Sequence, residues 1–213
     1  APQVVLEVMV EGALVDIDTA LRIESRKLAK IMVGQNAKNM ITAFFFHRHA
    51  VEATWGATDL REAQALFVAR LSGALRAEAA AMLGEGVMPA SVKHAVAGAG
   101  FTLALLDDNA PALAVSRPAA VDAAELKQRL LYRGAVEAAS CLAEGVVAGV
   151  PEANIASIFA CGFPGWTGGA IQFIAAEGLP RFEAVAAALA QRHGPRFALG
   201  PAVRDSIRRT AAA

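Results

Sequence analysis

Four charged residues stand at matched places in this chain, and they are the first candidates for chemistry. Arg70 and Glu78 return as Arg129 and Glu137, each 59 positions further on (70 to 129, 78 to 137). Two glutamates at equivalent positions of two helices could form a carboxylate pair for acid–base work if the fold brought them together. They could instead pair with Arg70 or Arg129 or cap the partner segment, and this structural role is favoured because buried ion pairs commonly serve it. The other reactive side chains are poorly placed. His47 and His49 lie two apart, which on a helix turns them away from each other and argues against a metal pair. Ser140 and Ser157 have no histidine or aspartate nearby in sequence to activate a hydroxyl. Cys141 and Cys161 lack metal-ligand spacing and read as buried apolar groups rather than as a disulfide. No catalytic and no metal-ligating residue is therefore assigned. The most distinctive run, Cys161-Gly162-Phe163-Pro164-Gly165-Trp166-Thr167-Gly168-Gly169, is dense enough in glycine to suggest a phosphate cradle. A P-loop continues into Lys-Ser/Thr, whereas here Ala170-Ile171 follow, so the run reads as a tightly packed corner holding the Trp166 ring.

The elements that must position these residues are helical. Apolar residues make up 55% of the 213 and aromatics only 6%. Abundant alanine favours helices packed through small side chains over aromatic-rich sheets, so the expected class is all-α. Twenty basic and twenty acidic residues cancel, which gives no field to draw nucleic acid or anionic lipid. Acidic residues interrupt each apolar run before a membrane span is complete, and Ala1-Pro2-Gln3 carries no basic leader region. A reducing, cytoplasmic setting is expected.

Along the chain, Val4 to Val10 is ambiguous between strand and helix, and Asp16 to Thr19 open a helix with capping carboxylates. Leu21, Leu28, Ile31 and Met32 recur at helical spacing up to Gly34. A second segment from Asn36 runs through Phe44-Phe45-Phe46 and closes at His47-Arg48-His49, where cations suit a helix C-terminus. Three successive phenylalanines point three ways on a helix, so the cluster needs cover from several sides, from a partner or from a ligand. Val51 to Thr58 read as a connector, after which Asp59 caps a long helix.

From there the chain repeats. Arg70-Leu71, Glu78-Ala79, Leu83 and Glu85-Gly86-Val87 return as Arg129-Leu130, Glu137-Ala138, Leu142 and Glu144-Gly145-Val146. Pro89 then answers to Pro151, and Gly100-Phe101 to Gly162-Phe163, 62 positions apart (101 to 163). Each unit reads as a long helix ending at Glu-Gly, a shorter helix begun by proline, and a Gly-Phe corner. Neither unit offers much core alone, so their long helices are expected to pack on each other. Asp107 to Pro118 form the turn-rich linker between the units, and Asp122-x-x-Glu125 reads as a capping box for the second long helix. Further short helices are expected from Ile171 to Glu177, from Pro180 to His193 and from Pro201.

With these residues laid out, the chain resembles the multifunctional enzymes of fatty-acid β-oxidation, which fuse an enoyl-CoA hydratase to a 3-hydroxyacyl-CoA dehydrogenase. Ala20 to Arg26, Gly34 to Ile41 and Ala43 to Phe46 look like the helical end of the hydratase and its linker helix. The stretch from about Leu66 to Ala211, with the doubled Arg-Leu…Glu-Ala…Glu-Gly units, the Gly162 to Gly169 corner and Gly194-Pro195-Arg196-Phe197, looks like the doubled C-terminal domain of the dehydrogenase. The resemblance implies three regions: residues 1–58 as hydratase-end and linker helices, 59–118 as the first helical module and 119–213 as the second. It implies Lys38 and Phe45 as contacts to the CoA adenosine, with cation and ring suited to a phosphorylated nucleotide. It also implies NAD as cofactor of the complete enzyme, an acyl-CoA substrate and, as in some relatives, a thiolase subunit as partner. The family places an entire NAD-binding domain between the two matching blocks, where this chain has only His47 to Asp59, and no Gly-x-Gly-x-x-Gly follows a strand. The paired glutamates of the hydratase and the catalytic serine, histidine and glutamate of the dehydrogenase have no counterparts. Leu66-Phe67-Val68-Ala69-Arg70 stands where the family has Gly-Phe-Val-x-Asn-Arg. The implied role is support of acyl-CoA binding and domain association. The alternative is a non-catalytic helical module for oligomerisation or acyl-chain binding through Phe44 to Phe46 and the Trp166 corner.

Overall fold

A computed structural model describes residues 2–55, 64–106 and 122–211. Among these, every regular element is helical and none is a strand. The chain is all-α. The proposed linker from Asp107 to Pro118 and the Asp59 cap lie outside the described residues.

The valine-rich start resolves as helix α1 (Pro2–Gly12), paired with α2 (Ile17–Met32). Val4, Val5 and Val8 recur at helical spacing and face Leu28 and Ile31 across a shallow groove, so an apolar partner decides between the two conformations that β-branched residues leave open. Lys27 Nζ donates to Glu7 (2.7 Å) and Glu11 (3.0 Å) across the hairpin. Asp16 caps α2 by accepting from the Thr19 backbone N–H at 3.0 Å. No residue of α2 is buried.

After Gly34, helix α3 (Gln35–Ile41) passes into a π-helical segment (Thr42–His47) and then α4 (Arg48–Trp55) without a break. The helix therefore does not close at His47-Arg48-His49, and residues 51–55 of the expected connector are helical. Val51 is buried, and Arg48 pairs with Glu52 one turn on, which supplies the local and tertiary reasons for the helix to continue.

The core forms around α5 (Ala65–Gly84) and α7 (Ala123–Ala143), which pack along each other. Both end as the sequence predicts, with Glu85 or Glu144 at the C-cap and Gly86 or Gly145 at positive φ. Proline opens α6 (Pro89–Ala99) and stands in the first turn of α8 (Val150–Phe159), where its missing N–H has no partner to lose. Asp122 caps α7 by accepting from the Ala124 backbone N–H. Glu125 does not reach back to complete a capping box; it pairs with Arg192 and His193 instead. Helices α9 (Ala170–Glu177), α10 (Leu179–His193) and α11 (Pro201–Ala211) complete the domain, with one-turn helices at Gly165–Thr167 and Pro195–Phe197. Tyr132 stacks on Phe182 with ring centroids 4.8 Å apart. At Gly134 of α7 a Cβ would stand 2.7 Å from the Phe163 ring, so only glycine lets that ring reach the core.

Candidate functional site

Two places gather the residues singled out above. The first is the crossing of α5 and α7. Arg129 on α7 donates from Nε to Glu78 Oε1 at 2.7 Å and from Nη1 to Glu85 Oε2 at 2.5 Å, both acceptors belonging to the α5 segment. Arg70 on α5 donates to Glu137 at 2.8 Å and pairs with Glu144, both belonging to the α7 segment. Each long helix thus gives its arginine to the other's two glutamates, and the shift of 59 positions (70 to 129) converts one set into the other.

The two sets differ in depth. The side chains of Arg129 and Glu78 are 1% and 0% exposed, against 29% and 14% for Arg70 and Glu137. Glu78 also accepts from Arg196 Nε at 2.5 Å, and the Arg196 guanidinium lies 5.2 Å over the Phe197 ring. Burial pulls the Arg129 pKa down, but the hydrogen bonds and charges of Glu85 and Glu78 outweigh it, so the guanidinium is more firmly protonated than in water. Arg129 in turn holds the Glu85 carboxyl below the ordinary carboxylate range. Glu78 and Glu137 are therefore salt-bridge acceptors occupied by guanidinium groups, with no carboxylate pair between them for proton transfer. Burial pushes the Cys141 thiol up to about 12, so it is not a nucleophile at neutral pH, and Cys161 is buried with its sulfur 3.9 Å from the Val68 carbonyl.

The second place is the glycine-rich corner. Gly162, Gly168 and Gly169 all have positive φ. A Cβ at Gly168 would lie 2.6 Å from the Asn39 carbonyl oxygen, and one at Gly169 2.5 Å from Asn154 Cβ. The corner is therefore a seat for α3 and α8 rather than a cradle for phosphate. Trp166 Nε1 donates to the Ala99 carbonyl at 2.7 Å, tying the corner to the last turn of α6. Gly169 precedes α9 and has no side chain to cap it, so α8 supplies the caps. Asn154 Oδ1 accepts from the backbone N–H groups of Ile171 (2.9 Å) and Gln172 (3.0 Å), and Ser157 Oγ accepts from Ala170 (3.1 Å). These are the donors a helix start leaves without partners. Buried Asn39 accepts from Gln172 Nε2 at 3.2 Å and from Gln35 Nε2 at 2.9 Å, joining α3 to α9.

Asn39, Asn154 and Gln172 were not identified from the sequence, because their partners lie up to 133 positions away. Ser157, with no histidine or aspartate nearby in sequence to activate it, serves as a helix cap. The single available signal was the missing cap itself: Gly168-Gly169 before a helix calls for an outside acceptor.

Of the two residues tied to CoA by resemblance, Lys38 lies exposed on α3 and Phe45 exposed on the π segment of the same continuous helix. No hydrogen bond, ion pair or ring contact joins them; Phe45 instead packs against Phe46 (5.2 Å) and His49 (4.8 Å). The three phenylalanines do diverge. Phe44 turns inward to meet Phe159 edge-on at 5.7 Å, while Phe45 and Phe46 remain 57% and 61% exposed. Among the described residues no strand is present, so none carries the strand-to-helix turn of a Rossmann dinucleotide site. No described helix is long and apolar enough to cross a membrane. No model of a known protein family matches the chain.

Proposed function

We propose that this chain is the helical portion of a multifunctional fatty-acid β-oxidation enzyme, with 3-hydroxyacyl-CoA dehydrogenase and enoyl-CoA hydratase activities in the complete protein. Residues 1–58 would then be hydratase-end and linker helices, and 59–118 and 119–213 the two copies of the doubled dehydrogenase module. The observation that carries this reading is the exchange of ion pairs: Arg70 with Glu137 and Glu144, Arg129 with Glu78 and Glu85. A doubled module whose copies pack through their long helices accounts for repeated residues that meet each other's partners. On this reading the modules support acyl-CoA binding and domain association, NAD is held elsewhere in the complete enzyme, and a thiolase subunit is a candidate partner in the cytoplasm. Lys38 and Phe45 are available to the CoA adenosine, the ammonium for phosphate and the ring for the base.

Calorimetric titration of coenzyme A into the chain tests the assignment. Saturable binding that weakens roughly tenfold in both Lys38→Ala and Phe45→Ala is expected. Absence of binding at millimolar coenzyme A, or binding indifferent to both substitutions, would remove it. Incubated alone with NAD and a 3-hydroxyacyl-CoA, the chain is expected to give no NADH absorbance.

The exposed pair of Phe45 and Phe46 favours a second reading, a non-catalytic helical module that self-associates through this patch. Light scattering distinguishes it: a dimer that dissociates in Phe45→Ser/Phe46→Ser supports self-association, and a monomer at all concentrations rejects it.

A further inference from the structure

A cavity of about 470 Å³ lies beside the corner, lined by the polar side chains of His47, Gln172 and Thr210 together with apolar ones such as Val150, Ile171 and Leu179. The hydrogen bonds around it fix the chemistry of its polar lining. Asn154 Oδ1 already accepts from two backbone N–H groups, so its Nδ2 is the donor to His47 Nδ1 at 3.3 Å. His47 Nδ1 is thereby an acceptor, and the neutral ring carries its proton on Nε2. Burial holds the His47 pKa below its ordinary value, partly offset by the Glu152 carboxylate, in keeping with a neutral ring. Gln172 spends its Nε2 on Asn39, which leaves its Oε1 free to accept. Thr210 also lines it and spends its hydroxyl proton on the Ile207 carbonyl at 2.8 Å, so the lining offers one donor and two acceptors among mainly apolar residues in a chamber of ligand size, without a formal charge. The negative charge of nearby Glu152 disfavours an anion. His47 is also the last residue of the π segment, a helix irregularity that recurs at functional sites.

We propose that this cavity binds an uncharged ligand with an aliphatic body and a primary carboxamide end, whose carbonyl accepts from His47 Nε2–H while its N–H donates to Gln172 Oε1. This site is separate from the exposed face of Lys38 and Phe45 and does not depend on the assignment made there. A carboxylate would meet the acceptors Gln172 Oε1 and Thr210 Oγ1 with no proton to offer, and an ammonium would meet His47 Nε2–H with no lone pair.

Hexanamide titrated into the full chain, followed through the ring resonances of His47, tests this directly. A saturable shift is expected. Hexanoate and hexylamine, of equal length but charged, should bind at least roughly tenfold more weakly, as should hexanamide to His47→Phe, which loses the donor. Ala175 lines the cavity from an exposed position, so Ala175→Trp should fill it and abolish the shift while leaving the melting temperature unchanged. Lack of a saturable shift, binding that survives Ala175→Trp, or hexanoate binding as tightly as hexanamide would each overturn the proposal.

Discussion

The two arginine clusters at the crossing of α5 and α7 are built from the same residue types at the same repeat positions, yet they occupy different solvents. Arg129 is sealed among Glu78, Glu85 and Arg196, whereas Arg70 meets Glu137 and a Glu144 that is 54% exposed. The difference comes from the end of the chain. The one-turn helix Pro195–Phe197 lays Arg196 over Glu78, and His193 bridges towards Glu125 at 3.0 Å and Glu85 at 3.7 Å. No described segment covers Arg70 in the same way. A repeated pattern therefore sets the partners of an ion pair, while the dielectric around it is decided by what is appended. That dielectric determines how much breaking the pair costs.

The largest effect should come from Arg129→Met. It strands Glu78 in the interior with only the partly exposed Arg196, and breaking such a pair costs about 3–5 kcal/mol. Urea denaturation monitored by helix signal measures it, and a loss under about 1 kcal/mol would place the inner pair with surface bridges. The equivalent change outside, Arg70→Met, leaves Glu137 paired with Arg133 at 3.0 Å and should cost about 1 kcal/mol or less.

Acid should weaken both clusters. The folded-state pKa values of Glu85 and Glu144 are lowered, chiefly by the hydrogen bond that each accepts from its arginine. Their contribution is complete above the ordinary value of 4.5 and is lost as pH falls through the folded values. His47, lowered mainly by burial, adds loss from an earlier point: its contribution is complete above 6.5 and declines as pH falls towards its folded value. His47→Gln should remove the part of the pH dependence that begins near 6.5, in unfolding midpoints followed against pH. The smallest effect is that of salt. Raising NaCl to about 1 M should remove most of the long-range screening-sensitive contribution at Arg70 and little at Arg129, so Arg70→Met and its parent should converge in high salt while Arg129→Met and its parent should not.

Much of this was legible in the sequence because it is local or periodic. The Glu-Gly stops of α5 and α7, the prolines at the starts of α6 and α8, and the pairing of Glu78 and Glu137 with arginines rather than with each other all follow from spacing and capping chemistry. What escaped depends on contacts far apart in the chain. Val4 to Val10 became helix because Leu28 and Ile31 offered a face, and Arg48 to Trp55 stayed helical because Val51 is buried on a helix that packs on α8. The side chain of Asn154 capping α9 could not be read from its neighbours, since the helix it caps begins sixteen positions later (154 to 170). Arg196 appeared only as part of a Gly-Pro-Arg-Phe run, with nothing local to point at Glu78.

Double-mutant cycles on the two pairs, Arg129 with Glu78 and Arg70 with Glu137, test the central claim most directly. Like partners in unlike surroundings should give a coupling larger by about 2 kcal/mol or more for the inner pair. Equal couplings, or a larger one for the outer pair, would contradict it.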